Sequence, residues 1–198
     1  MKTIYTSFLI FCLSLNAVAQ NTPVAPIKKG LSDEALLTLV QKQTFQYFWN
    51  GAEPVSGLAR ERYHSDNVYQ QNDKDVVATG AAGFGVMSIL VGVERKFITR
   101  KQAVDRLVKA VGYLETADRF HGAYPHWLFP NGKVKPFSRY DDGADLVETA
   151  YLFQGLLTVR EYFKNGNAQE KQLAANNETD SLVAESLRRQ AEADDEPT

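Results

Sequence analysis

Four carboxylates, Asp141, Asp142, Asp145 and Glu148, crowd into the stretch Ser138-Arg139-Tyr140-Asp141-Asp142-Gly143-Ala144-Asp145-Leu146-Val147-Glu148-Thr149-Ala150. From there to Phe163 the residues are mostly apolar, so the acids stand where a loop becomes a buried helix. Asp145 and Glu148 are spaced i to i+3, on one face a single turn apart, with Asp141 one turn earlier. Carboxylates are seldom buried without a partner or a task. The tasks open to this cluster are acid–base chemistry, structural salt bridges, helix capping and metal binding. Asp141 or Asp142 as the cap of the first turn accounts for one acid. It does not account for Glu148.

Flat rings with polar edges lie just upstream, at Tyr124, His126, Trp127 and Phe129. Sugars bind such faces, although Trp127 and Phe129 could equally plug their loop onto a core. No metal is expected. His121 and His126 sit in a loop without a matching carboxylate motif, and the aspartates lack the ligand order of a calcium loop. The glycines after Thr79 are not followed by Gly-Lys-Ser/Thr, so they form no phosphate loop. Tyr63 and His64 read as loop packing.

The chain has 198 residues, 44% of them hydrophobic, enough for one core of ordinary size. A formal net charge of −2 gives no reason to expect a nucleic acid or an anionic membrane as partner. Lys2, the short apolar run at residues 8–15 and Ala17-Val18-Ala19 form a cleavable export signal, cut after Ala19, so the mature protein is expected to be periplasmic or secreted. The run is too short to span a bilayer. The single cysteine, Cys12, leaves with that signal, which excludes disulfides, thiol catalysis and zinc–thiolate sites.

The acids and rings need elements to hold them. Residues 20–31 read as a linker. Ser32 then caps a helix to Trp49, whose Leu36, Leu37, Val40, Phe45 and Phe48 form a stripe facing a core. A long polar and aromatic loop, with no clear strand pattern, leads to a second helix at residues 78–95. Its glycines imply close backbone approach, and its composition implies burial on nearly all sides. The third helix opens with a Thr99–Gln102 capping box and keeps one wet face to about residue 118. Asn131-Gly132 predicts a hairpin turn before the fourth helix, residues 144–163. Half-wet and buried helices thus alternate, as in a toroid of helical hairpins, with a simple bundle as the other arrangement. Residues 165–198 read as a weakly helical or disordered acidic tail.

Several of these segments, in this order, resemble the glycoamylase-like family of secreted bacterial proteins, which includes endo-β-1,2-glucanases. The similar stretches are Thr79-Gly80-Ala81-Ala82-Gly83-Phe84-Gly85, then Gly92-Val93-Glu94-Arg95-Lys96-Phe97-Ile98-Thr99-Arg100-Lys101-Gln102-Ala103, Phe120-His121-Gly122-Ala123-Tyr124-Pro125-His126-Trp127 and the acidic segment. Gly57-Leu58-Ala59-Arg60-Glu61-Arg62 looks like the family's first active-site loop, with Glu61 where Asp is expected.

The resemblance implies an all-α fold, here a partial (α/α)6 toroid over residues 32–164. It implies a secreted hydrolase acting on a glucan, polysaccharide or oligosaccharide, most of all β-1,2-glucan, by an inverting mechanism and without a cofactor. By position, Asp145, Glu148 and Asp141 become its catalytic candidates. Glu61, Arg62, Tyr124, His126, Trp127, Phe129 and Asp142 become its substrate-binding candidates. The resemblance fades after Asn165, so the expectation is an incomplete and inactive toroid. The other classes considered are a non-catalytic carbohydrate-binding remnant and a polysaccharide lyase with Tyr140 or His126 as base, the latter weakened by the lack of an arginine patch.

Overall fold

The computed structural model describes residues 28–70, 73–141 and 143–176, so the export signal, Asp142 and the acidic end of the chain lie outside the described residues. Among those described are five helices and a small antiparallel sheet of three two-residue strands. No described helix is long and apolar enough to cross a membrane.

Helix α1 (Asp33–Trp49) starts where Ser32 accepts the Ala35 N–H, as its sequence predicts. Its stripe is only half used. Phe45 is buried against the ring of Phe97 and the backbone of Gly92, but Leu36, Leu37 and Val40 are exposed, corrections to the expectation of a core-facing stripe. The physical reason is reach: the second helix meets α1 along its C-terminal half, through Phe45 and Phe48 against Gly92 and Gly85.

Strand β1 (Val77–Ala78) occupies what reads in sequence as the start of the second helix, and α2 (Thr79–Glu94) follows directly. The antiparallel hairpin of β2 (Trp127–Leu128) and β3 (Val134–Lys135) turns at Asn131-Gly132, with Gly132 at φ +79°, and β1 adds to its edge. Two-residue strands carry no usable alternation, which is why β1 is illegible in sequence.

Helix α3 (Arg100–Thr116) carries the expected capping box and buries Val104, Leu107, Val111 and Leu114. Helix α4 (Leu146–Phe163) crosses α2 at its tightest point through two glycines. A Cβ on Gly83 would overlap the Tyr151 carbonyl, and one on Gly155 would overlap the Gly83 carbonyl. Glycine's cost in a helix is offset here by backbone contact no larger residue permits. The two glycine-bearing helices form the inner layer, with α1 and α3 outside. Burial of α2 is nonetheless one-sided: Phe84 and Val91 are exposed, as are Leu146, Val147 and Tyr151 of α4.

The residues after Gly166 are better anchored than their composition suggests. Asn167 and Glu170 form a reciprocal cap on α5 (Ala168–Asn176), each side chain accepting the other's backbone N–H. Glu170 is buried and pairs with Arg100 of α3 at 2.5 Å, while Leu173 and Ala174 join the core.

Candidate functional site

The loop ahead of β2 is fastened at both ends of its short run. Thr79 donates its N–H to the His126 carbonyl and its hydroxyl to Pro125, which ties the segment to the start of α2. Asp145 donates its N–H to the Tyr124 carbonyl, which ties the same segment to the start of α4. The N-termini of both inner helices therefore converge on residues 124–127. Each carries free N–H groups and positive partial charge, and each is met by a carboxylate.

Asp145 caps α4. Its Oδ1 accepts the N–H groups of Val147 and Glu148 at 2.9 and 3.0 Å, and its Oδ2 meets His126 Nδ1 at 2.8 Å. This corrects the sequence reading, in which the helix begins at residue 144 and the cap is Asp141 or Asp142. Asp145 is the residue in extended backbone, which an N-cap requires. Burial pushes its carboxyl up, but the Glu148 N–H, His126 and the Val147 N–H outweigh that and hold it below the ordinary carboxylate range.

Glu148 serves the other helix. Its Oε2 accepts the Gly80 N–H at 2.6 Å, which supplies the cap that Ala78 cannot offer α2. Asp141 is held in a tight bridge with Ser138 and comes close to the Asp145–His126 pair. His126, Asp141 and Asp145 each place one potential ligand atom within 4.8 Å of the others. Asp145 already engages both its oxygens with His126 and two backbone N–H groups.

Around this pair lies an aromatic run. Phe137 stacks on His126 with ring centres 4.2 Å apart and touches Trp127 at 4.9 Å. Lys135 Nζ lies 4.5 Å from the centre of the Trp127 ring, and Arg62 sits over it at 5.8 Å. Glu61 pairs with its neighbour Arg62 at 3.0 Å. Beside Asp141 an open cavity of about 700 Å3 is lined by Phe120, His121, Ala123, Tyr140 and Leu146.

Of the residues singled out in sequence, the structure gathers Asp141, Asp145, His126, Trp127, Arg62 and Glu61. It does not bring Tyr124 there. That ring is fully buried, its hydroxyl donating to the Leu114 carbonyl, and burial pushes the phenol up to about 12. It offers no face to a sugar. Phe129 packs partly buried beside Val76, Ala78 and Trp127. Phe137 and Lys135 are the residues that sequence reasoning missed. The one available signal was the basic–aromatic pattern Lys135-Pro136-Phe137 directly ahead of the acids.

No family model matches the chain. It is 48% identical over 162 residues to an exo-β-1,2-glucooligosaccharide sophorohydrolase of Parabacteroides distasonis, which covers 81% of this chain and 22% of that protein. Among solved structures it resembles the endo-β-1,2-glucanase of Chitinophaga pinensis in complex with sophorotriose and glucose, at 60% identity and a TM-score of 0.75. That match covers 77% of this chain and 36% of that one. A Bacteroides caccae structure assigned to the glucoamylases matches at 56% identity and a TM-score of 0.74, over 76% of this chain and 36% of that one. These neighbours are (α/α)6 toroids, so the inner and outer layers described above are a sector of that ring. Over the segment they share, the chain is similar to glycoamylase-like proteins, and it spans 36% or less of the length of these relatives.

Proposed function

We propose that this chain supplies the acid-bearing wall of a cleft that hydrolyses a glucan, with β-1,2-glucan or its oligosaccharides as substrate. The observation that carries the reading is the convergence of Asp145, His126 and Asp141 beside the exposed rings of Phe120, Phe137 and Tyr140 and an open cavity, with Trp127 buried behind them. The similarity to β-1,2-glucan hydrolases supports it independently.

Asp145 is kept ionised by its bonds, which suits a group that accepts a proton from water or steadies positive charge at the sugar. An inverting reaction also needs a proton donor about 6.5–9.5 Å from the base. We assign that donor to the part of the relatives that this chain does not span. Glu148 has one oxygen committed to Gly80, so we assign it chiefly to holding the two inner helices in register at the site. Glu61, Arg62, Trp127 and Phe129 border the substrate path, and Asp142 is proposed as a further contact. Export through residues 1–19 would deliver the enzyme to the periplasm or the medium, where such polymers are met.

The test is hydrolysis of β-1,2-linked oligosaccharides of defined length by the full-length protein, with the anomer of the first product read by NMR. Asp145→Asn keeps the helix cap, since Asn caps as well as Asp, but removes the charge. It should lower turnover at least a hundredfold. Wild-type turnover in that variant would remove Asp145 from the chemistry, and an unchanged β-1,2-glucan with the wild type would sink the substrate assignment.

A further inference from the structure

A second cavity, of about 270 Å3, shares Arg62 with the site described so far and is lined besides by His64, Asp66, Val68, Gln70 and Asp73. Asp73 is the unusual member. Its side chain is only 4% exposed, and its Oδ1 has no hydrogen-bond partner among the described residues. Its Oδ2 lies 3.4 Å from Arg62 Nε, an ion pair without hydrogen-bond geometry, so that Nε is unpaired as well. His64 Nε2 is also buried without a hydrogen-bond partner among the described residues. Buried polar atoms are nearly always paired, and three exceptions around one cavity ask for a cause.

Chemistry narrows the cause. Arg62 Nε can only donate, Asp73 Oδ1 can only accept while ionised, and His64 Nε2 can do either. A single hydroxyl donates and accepts at once, and neighbouring hydroxyls on a sugar ring repeat that pattern. The place fits too. Arg62 lies over the Trp127 ring, whose neighbour His126 bonds Asp145, so two rings separate this cavity from the acidic site.

We propose that this cavity is a remote glucosyl subsite, with Asp73 a positioning residue that holds Arg62 toward the sugar. The inference rests on the glucan-hydrolase reading above and extends it to the length of substrate the site can grip. A remote subsite adds affinity only for oligosaccharides long enough to reach it, and it leaves the bond-breaking step alone.

The experiment measures KM and kcat of the full-length protein across the β-1,2-linked oligosaccharide series, for two variants. Asp73→Asn keeps the shape and removes the charge that orients Arg62. Val68→Trp fills the mouth of the cavity from an exposed position and leaves Asp73 and Arg62 untouched. Each should raise KM for the long oligosaccharides about tenfold, with kcat and the KM of the shortest cleaved substrate unchanged. If Asp73→Asn fails to fold, Val68→Trp decides alone. An unchanged length preference in Val68→Trp, or a fall in melting temperature with unchanged KM in Asp73→Asn, would overturn the subsite. A wild type that cleaves no member of the series would instead overturn the underlying function, and this inference with it.

Discussion

Glu148 Oε2 accepts the N–H of Gly80 at 2.6 Å, so a side chain in the first turn of α4 closes the N-terminus of α2. The two residues are 68 positions apart in sequence. The bond fixes both at once: a Cβ on Gly80 would stand 2.6 Å from the same oxygen. Asp145 and Glu148 look in sequence like a catalytic pair on one helix face, whereas in space each terminates a different helix.

That bond makes Glu148→Ala destabilising by about 1–3 kcal/mol, because the Gly80 N–H loses a charged acceptor in a part-buried place. Glu148→Gln keeps an acceptor oxygen and should cost less than Glu148→Ala. Chemical denaturation of the three proteins checks the order, and equal stability of all three would show that water replaces the carboxylate freely.

The Gly83–Gly155 crossing sets the opposite of the usual glycine rule. Alanine is favoured over glycine in a helix by roughly 1 kcal/mol, yet Gly83→Ala and Gly155→Ala should each lose more than about 3 kcal/mol or fail to give soluble protein, since both methyls meet backbone. Gly112→Ala on α3 is the matched control, with nothing within 4 Å of its Cβ. It should gain about 0.5–1 kcal/mol. Thermal melts of the three variants therefore differ in sign.

Asp145 links the site to pH. Its folded carboxyl lies below the ordinary value, so its bonds stabilise the protein above the unfolded pKa of about 3.9 and that stability is lost as pH falls through the folded value. Stability measured from pH 6 downward should fall more steeply through the acid range in the wild type than in Asp145→Asn. Parallel curves would mean that the cap and His126 do not favour the ionised form.

Tyr124→Phe separates core from site. Removing the hydroxyl leaves the Leu114 carbonyl only the Ala117 N–H at 3.3 Å, at a cost of about 1 kcal/mol, while glucan turnover by the full-length protein should be unaffected. A rise in KM with unchanged stability would return Tyr124 to the substrate path.

The 198-residue chain by itself should bind a hydrophobic dye and self-associate. Leu36, Leu37 and Val40 on α1, and Phe84, Val91, Leu146, Val147 and Tyr151 across α2 and α4, are all exposed, more apolar surface than a soluble monomer ordinarily shows. Analytical ultracentrifugation that finds a dye-free monomer would contradict this.

The sequence by itself determined the helices, because periodicity and caps are written within a few residues of one another. Ser32, the Thr99–Gln102 box and the Asn131-Gly132 turn are legible for that reason, and all stand where they were read. The acidic loop and its neighbouring rings were legible as a region. Which acid does what was not. Among Asp141, Asp142 and Asp145, the choice of cap depends on which backbone is extended after the loop has been tied to Thr79 and Tyr124. The burial of Tyr124, the stacking of Phe137 on His126 and the pairing of β1 with β2 likewise join segments far apart in the chain. No local pattern encodes such contacts. They are settled when the helix ends converge, where each polar group must find a partner or remain in water.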